Sequence, residues 1–274
     1  MPDFLAAALQ LTSTSDVEAN LNSAEEQIEL ASRRGADLVR LPENFAFLGD
    51  DQQRIEIASS LAEKCNNFLV TMARRYQIVL LGGGFPVPSE DGLRTLNRAE
   101  LFGRDGQSLA RYDKIHLFDV DLPEGNTYRE SETIVCGDQT PPVVDVPGLC
   151  RIGLSICYDV RFPELYRNLI DKGAELFMIP AAFTAFTGKD HWQVLLQSRA
   201  IENTAYVVAP AQTGLHYGRR QSHGHAIVID PWGTVLADAG KMKGAAIAPV
   251  DKGRVDIIRK QMPSLRHRKP DLLS

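Results

Sequence analysis

Apolar residues along this chain gather in short runs at 4–11, 38–41, 78–81, 152–156, 176–179 and 206–208, most of them ending at Gly, Pro or a polar residue. Runs of that length and punctuation predict strands buried on both faces. Between them, residues 17–34, 55–75, 163–172 and 191–203 read as helices. Strand and helix alternate, which predicts an α/β protein whose strands lie beneath helices.

The same pattern also repeats. GADLVRLP at 35–42 is matched by GAELFMIP at 173–180, an offset of 138 residues. Each copy reads as a helix stopped by glycine, then a buried strand ending at proline. Ala99, Gly106, Leu109 and Ala110 recur as Ala226, Gly233, Leu236 and Ala237, all at an offset of 127. Both of these segments read as a hairpin with a glycine-containing turn. The offsets differ by 11 residues, which fits a change in one loop. Two similar halves follow, each strand, helix, strand, helix, strand, hairpin. Neither sheet could bury both faces alone, so the expected architecture packs them face to face with helices outside, an αββα sandwich.

Composition narrows the partners. The chain has 274 residues, 44% hydrophobic and 24% charged, with 30 basic against 35 acidic side chains and a net charge of −5. Its pI near 5.7 argues against binding a phosphate backbone. No run approaches the ~18 apolar residues of a membrane span, and the first eleven residues carry Asp3 rather than a basic leader. No linker marks a boundary, so residues 1–274 read as one domain. The cysteines, Cys65, Cys136, Cys150 and Cys157, form no C-x-x-C pair, which suggests reduced thiols in a cytoplasmic protein.

Cys157 stands apart from the other three. It ends an apolar strand, and a helix is expected to open near Pro163, so its thiol would project from a sharp turn with free amides beside it and a lowered pKa. On that reading it would alkylate well below pH 8. A thiol nucleophile needs a base. His116, His191, His216, His223, His225 and His267 are all available, though none has a local signature, and position 163 is Pro where a Cys-x5-Arg phosphatase loop requires Arg. Glu43 is the other candidate. It follows Pro42, its counterpart in the second half is Ala181, and the neighbouring Leu41, Phe45 and Phe47 would raise its pKa by desolvation. The alternative is a solvated loop glutamate. Lys114, just after the first hairpin, is either surface charge or a cation for an oxyanion.

Three motifs give these residues a context. LPEN at 41–44, YDKIHLFD at 112–119 and CYDVRFPEL at 157–165 resemble the three signatures of the nitrilase superfamily, the carbon–nitrogen hydrolases, and the similarity runs from Phe4 to about Leu273. The resemblance implies an αββα sandwich with a Glu43, Lys114 and Cys157 site, and Glu130 matches a second glutamate that many members use for positioning. FTAFTGKDHW at 183–192, RAIENTAYVVA at 199–209, SHGH at 222–225 and DPWG at 230–233 are similar to the Nit branch of amidases. They look more like its deaminated glutathione amidases than its omega-amidases, mainly in the loop 211–225.

What the resemblance implies is hydrolysis of the terminal carboxamide of a small carboxylate-bearing substrate to acid and ammonia. The route is a Cys157 thioester, with Lys114 and the Tyr158 amide on the oxyanion and no metal or cofactor. Tyr158, Arg161, Phe183 and Thr184 are the expected substrate-binding residues; Arg161 could equally pair with Glu164 or Asp159. A retired member serving as a scaffold is the alternative from another class. The branch also implies a homodimer or higher homo-oligomer, for which the stretch from Pro263 to Ser274 is a candidate contact. Arg40 departs from the pattern, since relatives keep an apolar residue there; a buried arginine would need a partner acid or a route to water.

Overall fold

The computed structural model describes residues 3–123 and 126–269. The first half contains β1 (Phe4–Leu11), α1 (Val17–Arg33), β2 (Leu38–Arg40), α2 (Asp51–Tyr76), β3 (Val79–Pro88), β4 (Thr95–Phe102) and β5 (Ser108–Asp113). A hairpin follows, β6 (Asp119–Leu122) and β7 (Asn126–Arg129). Then come β8 (Val143–Asp145), β9 (Arg151–Leu154), α3 (Pro163–Asp171), β10 (Leu176–Met178), α4 (Ala185–Asn203) and β11 (Tyr206–Ala209). The chain closes with β12 (Ala211–Leu215), β13 (Gln221–His223), β14 (Ile227–Ile229), β15 (Val235–Asp238), β16 (Gly244–Val250) and α5 (Lys252–Gln261). Of the expected C-terminal contact, residues 270–274 lie outside the described residues. Among the described residues no helix is long and apolar enough to cross a membrane.

The internal echo is a structural repeat. One sheet carries β1-β2-β3 in parallel followed by the antiparallel β4 and β5, and the other carries β9-β10-β11 in parallel followed by the antiparallel β14 and β15. Leu38 stands opposite Val79, and its counterpart Leu176 stands opposite Tyr206. The extra eleven residues of the first half therefore enter between its second and third strands, where α2 has 26 residues against 19 in α4.

Side-chain alternation builds the layers. Ala6, Ala8 and Leu38 share one core with Leu154, Met178 and Val208 of the other sheet. Ala7, Leu9 and Val39 point the opposite way, against Leu21 and Ile28 of α1 and Leu61 and Leu69 of α2. Leu169 of α3 and Trp192 and Leu196 of α4 cover the second sheet. Each buried side chain of leucine size contributes roughly 1.5–3 kcal/mol, and the outcome is an αββα sandwich.

Some elements depart from the sequence expectation. β3 continues beyond 78–81 through three glycines, because the chain leaving β2 passes directly over it: a Cβ on Gly83 would lie 1.8 Å from the Leu41 carbonyl oxygen. α4 starts six residues before position 191, with the Thr184 hydroxyl capping the Thr187 amide. Its first turn contains the poor helix former Gly188, which hid it from the sequence, yet a Cβ there would sit 2.3 Å from His223 Cβ. β16 crosses between the halves and runs antiparallel along β1, from Phe4 opposite Val250 to Gln10 opposite Gly244.

Arg40 has neither solution expected for it. It is fully buried between the sheets, where Nη1 donates to the carbonyls of Val208 at 2.8 Å and Phe177 at 3.4 Å. Nε and Nη2 have no partner among the described residues, and burial holds the guanidinium well below its ordinary pKa.

Candidate active site

Glu43 lies two residues beyond Leu41, at the exit of β2, and is 3% exposed. Oε1 accepts hydrogen bonds from Asn97 Nδ2 at 2.9 Å and Lys114 Nζ at 3.1 Å, and Oε2 accepts from the Ala182 amide at 2.9 Å. Ala182 follows Ala181, the residue at Glu43's place in the second half. The two equivalent exits thus face each other, one supplying a carboxylate and the other an amide. Gly84 shapes this corner: its φ is +101°, and a Cβ there would press on Asn97 Oδ1 at 2.7 Å and Glu43 Cγ at 3.3 Å.

Lys114 follows β5 directly and is held by two carboxylates, Glu43 and a bidentate Glu130 at 2.9 and 2.8 Å. Glu130 Oε2 also accepts the Phe118 amide at 2.6 Å, so the segment after the β6-β7 hairpin is pinned over the lysine. Cys157 comes three residues after β9, 9% exposed, with φ +47° in the left-handed region that costs a non-glycine residue about 1 kcal/mol or more. Its amide donates to the Pro180 carbonyl at 2.8 Å, which holds that conformation. The amide of Tyr158 is not engaged in the backbone bonds that tie Cys157 and Asp159.

The electrostatics reverse two expectations. Burial pushes Glu43 up, but Lys114, the Cys157 thiol and the Ala182 amide outweigh it and hold the carboxyl below its ordinary value. At about 3 Å and an effective dielectric of about 20, one ammonium–carboxylate attraction is on the order of 5 kcal/mol, comparable with the cost of burying the charge. Lys114 is weakened by burial and strengthened by Glu130 and Glu43, with a net rise that keeps it a fixed cation. Burial and then Glu43 raise the Cys157 thiol well above its ordinary value, against Lys114. These outweigh the lowering expected from a helix N-terminus; α3 begins only at Pro163, after a 3-10 turn over Cys157–Arg161. At rest the pair is thiol and carboxylate.

The carbon–nitrogen hydrolase family profile matches residues 5–260. The chain belongs to that family. A deaminated glutathione amidase from Synechocystis sp. (strain PCC 6803 / GT-S) is 57% identical over 98% of this chain and 99% of its own. The human omega-amidase is 36% identical over 99% of this chain and 97% of its own. Among solved structures, the Caenorhabditis elegans NitFhit protein superposes with a TM-score of 0.93 at 40% identity, covering 98% of this chain and 66% of the worm protein.

The hydrolase has a cavity of about 380 Å³ in which Glu43, Lys114, Glu130 and Cys157 come together. Tyr158, Phe183 and Thr184 line it, joined by Tyr128 and Thr187. Arg161 stands one layer back. Its guanidinium lies 5.7 Å from the Tyr158 ring centre and 5.1 Å from that of Phe183, with His191 Nδ1 3.4 Å away. Among the described residues it pairs with neither Glu164 nor Asp159, and its buried Nε has no partner.

None of the six histidines lines the cavity. His116 is bound to Asp159, which is fully buried and also holds the Tyr112 hydroxyl and the Ile156 amide. Asn97 and Asp159 are site residues that the sequence alone does not single out. For Asp159 the one available signal is its place in CYDVRFPEL; Asn97, between Leu96 and Arg98 in a polar stretch, has none. Among the described residues no group of three His, Cys, Asp or Glu side chains is placed to hold a metal ion.

Proposed function

We propose that this hydrolase is a thiol amidase that cleaves deaminated glutathione, with Glu43, Lys114 and Cys157 as its catalytic residues and Glu130 positioning Lys114. The observation that carries the reading is the buried Glu43–Lys114 pair set against the Cys157 thiol in one cavity. Cys157 attacks the amide carbon as its proton passes to Glu43. The oxyanion forms between Lys114 Nζ and the Tyr158 amide. Because Lys114 is held charged by two carboxylates, the proton for the departing nitrogen comes from Glu43, and the C–N bond breaks to leave a Cys157 thioester. Glu43 then takes a proton from water, the hydroxyl adds to the thioester, and the thiol leaves with that proton. The products are a carboxylic acid and an amine; deaminated glutathione is a secondary amide, so its leaving group is a dipeptide rather than the ammonia expected of a terminal carboxamide. The 57% identity to a deaminated glutathione amidase favours deaminated glutathione over α-ketoglutaramate.

The 1–274 span acts on this reading as one catalytic domain in a reducing, cytoplasmic setting, with the cysteines unpaired. Exposed apolar side chains on and near α4 and α5, Val194, Ile201, Trp232 and Ile257, support a homodimer. The deciding experiment is release of the common 2-oxo acid from deaminated glutathione and from α-ketoglutaramate. Deaminated glutathione is expected to be preferred by about tenfold or more in kcat/KM, and Cys157→Ala to abolish both. Preference for α-ketoglutaramate would make the protein an omega-amidase, and activity in Cys157→Ala would remove the nucleophile.

A further inference from the structure

The cavity has cations at two separate places. Arg161 lies behind Tyr158 and Phe183. On the wall formed by the turn Glu130–Glu132, Arg54 and Arg220 line the cavity together. Arg54 is 8% exposed, and its Nη2 donates to Asp51 at 2.6 Å and to Thr133 Oγ1 at 2.7 Å. Its Nε is buried and has no partner among the described residues. Arg220 forms no ion pair or side-chain hydrogen bond with any described residue. It also presses its like charge on Arg54, adding to the burial that lowers the Arg54 pKa. Arg129, also on this wall, is engaged by Asp121 at 2.7 and 2.9 Å, and the exposed Glu132 pairs with neither Arg54 nor Arg220. Asp51 and Thr133 take Arg54 Nη2 and Lys114 takes Glu130, so the Arg220 guanidinium and Arg54 Nη1 are the donors on this wall left for an anion.

The position of Arg54 says which end of a substrate it meets. Glu43 must give its proton to the departing nitrogen, so the amine side of the scissile bond lies on Glu43's side of the carbonyl carbon. Arg54 is tied to that side by geometry: its Nη2 donates to Thr133 Oγ1, Thr133 N donates to the Glu130 carbonyl at 3.2 Å, and the Glu130 carboxylate holds Lys114 beside Glu43. The acyl side is left the wall of Tyr158, Phe183 and Thr184. We propose that Arg54 and Arg220 form a subsite for a carboxylate carried on the leaving amine, so that the enzyme selects amides whose leaving amine ends in a carboxylate over primary amides. This rests on the amidase reading above and deepens it. Deaminated glutathione has such a group, because its leaving amine is a dipeptide ending in a glycine carboxylate, with a reach of roughly 7 Å for two extended residues.

The test compares deaminated glutathione with its C-terminal carboxamide, identical except for that charge, in wild type and Arg220→Gln. Wild type is expected to favour the acid by about tenfold in kcat/KM, the worth of one charge-assisted hydrogen bond. Arg220→Gln should lose that preference through KM, and lose more on deaminated glutathione than on α-ketoglutaramate. Arg54→Lys, which keeps charge but not the fork, should show the same pattern in weaker form. A residue that merely held its loop would lower both peptides equally, and that result overturns the subsite, as does a wild type indifferent to the carboxylate. A wild type inactive on all three compounds overturns the amidase reading itself.

Discussion

Asp159 Oδ1 and His116 Nδ1 lie 2.7 Å apart, and the imidazole is stacked flat on Phe162 with 3.6 Å between ring centres. The other oxygen of the same carboxylate takes the Tyr112 hydroxyl at 2.7 Å and the Ile156 amide at 2.8 Å. One buried acid thereby ties the segment Tyr112–His116 at and after the end of β5, which includes Lys114, to the turn that carries Cys157. His116→Ala is expected to destabilise the protein by about 1–3 kcal/mol while single-turnover acylation stays within a few-fold of wild type. Lys114→Ala should lose acylation by about 100-fold or more, the scale of a lost oxyanion donor. Equal losses at both positions would return histidine to the role of base.

The direction of the Glu43 shift sets the acid side of the pH profile. A carboxyl held below its ordinary value stays ionised as pH falls through the usual carboxylate range, so kcat/KM should remain flat from neutrality down to about pH 5. The stability that the ionised Glu43 contributes is present above its unfolded pKa and is lost only as pH falls through the lower folded one. A rate that declines between pH 7 and 6 would contradict a Glu43 base.

Cys157 should behave as a protonated thiol in the resting enzyme. Burial and Glu43 raise it, so its alkylation by iodoacetamide, followed by mass spectrometry, is expected to keep climbing past pH 9. Cys150, pushed up to about 12 by burial, should stay unlabelled throughout that range. A plateau for Cys157 below pH 8 would indicate a thiolate already formed.

Arg40→Met should leave activity intact and raise Tm. The substitution removes two buried donors without partners and keeps the volume between the sheets. For a chain of this size each kcal/mol corresponds to on the order of 2–4 °C. A fall in Tm by calorimetry would show that the bonds to Val208 and Phe177 outweigh the buried charge.

The sheet order was legible because local signals repeat: the glycine stop, the strand and the proline at 35–42 recur at 173–180 and give the same pairing in both sheets. Glu43 was legible because it breaks that repeat at Ala181. The sense of its pKa shift was not, since it turns on Lys114, 71 residues away in sequence and 3.1 Å away in space. Asn97 and Asp159 were hidden for the same reason, since Glu43 lies 54 residues from Asn97, and Tyr112 and His116 lie 47 and 43 residues from Asp159. The first turn of α4 was hidden by Gly188, whose value lies in close packing against His223 rather than in helix propensity. Arg220 carries no local signal at all, because its meaning comes from sharing a wall with Arg54.

The pairing of β16 with β1 bears on how the chain is made. Residues 4–10 are complete as a strand only when residues 244–250 lie alongside. On a ribosome the N-terminal half emerges first, and the alanine- and leucine-rich β1 waits with an open edge while most of the remaining chain is synthesised. Closure of that edge is a contact of very high sequence separation, which places it among the slow events of folding. Nascent chains stalled before residue 244 should therefore be the ones that chaperones capture.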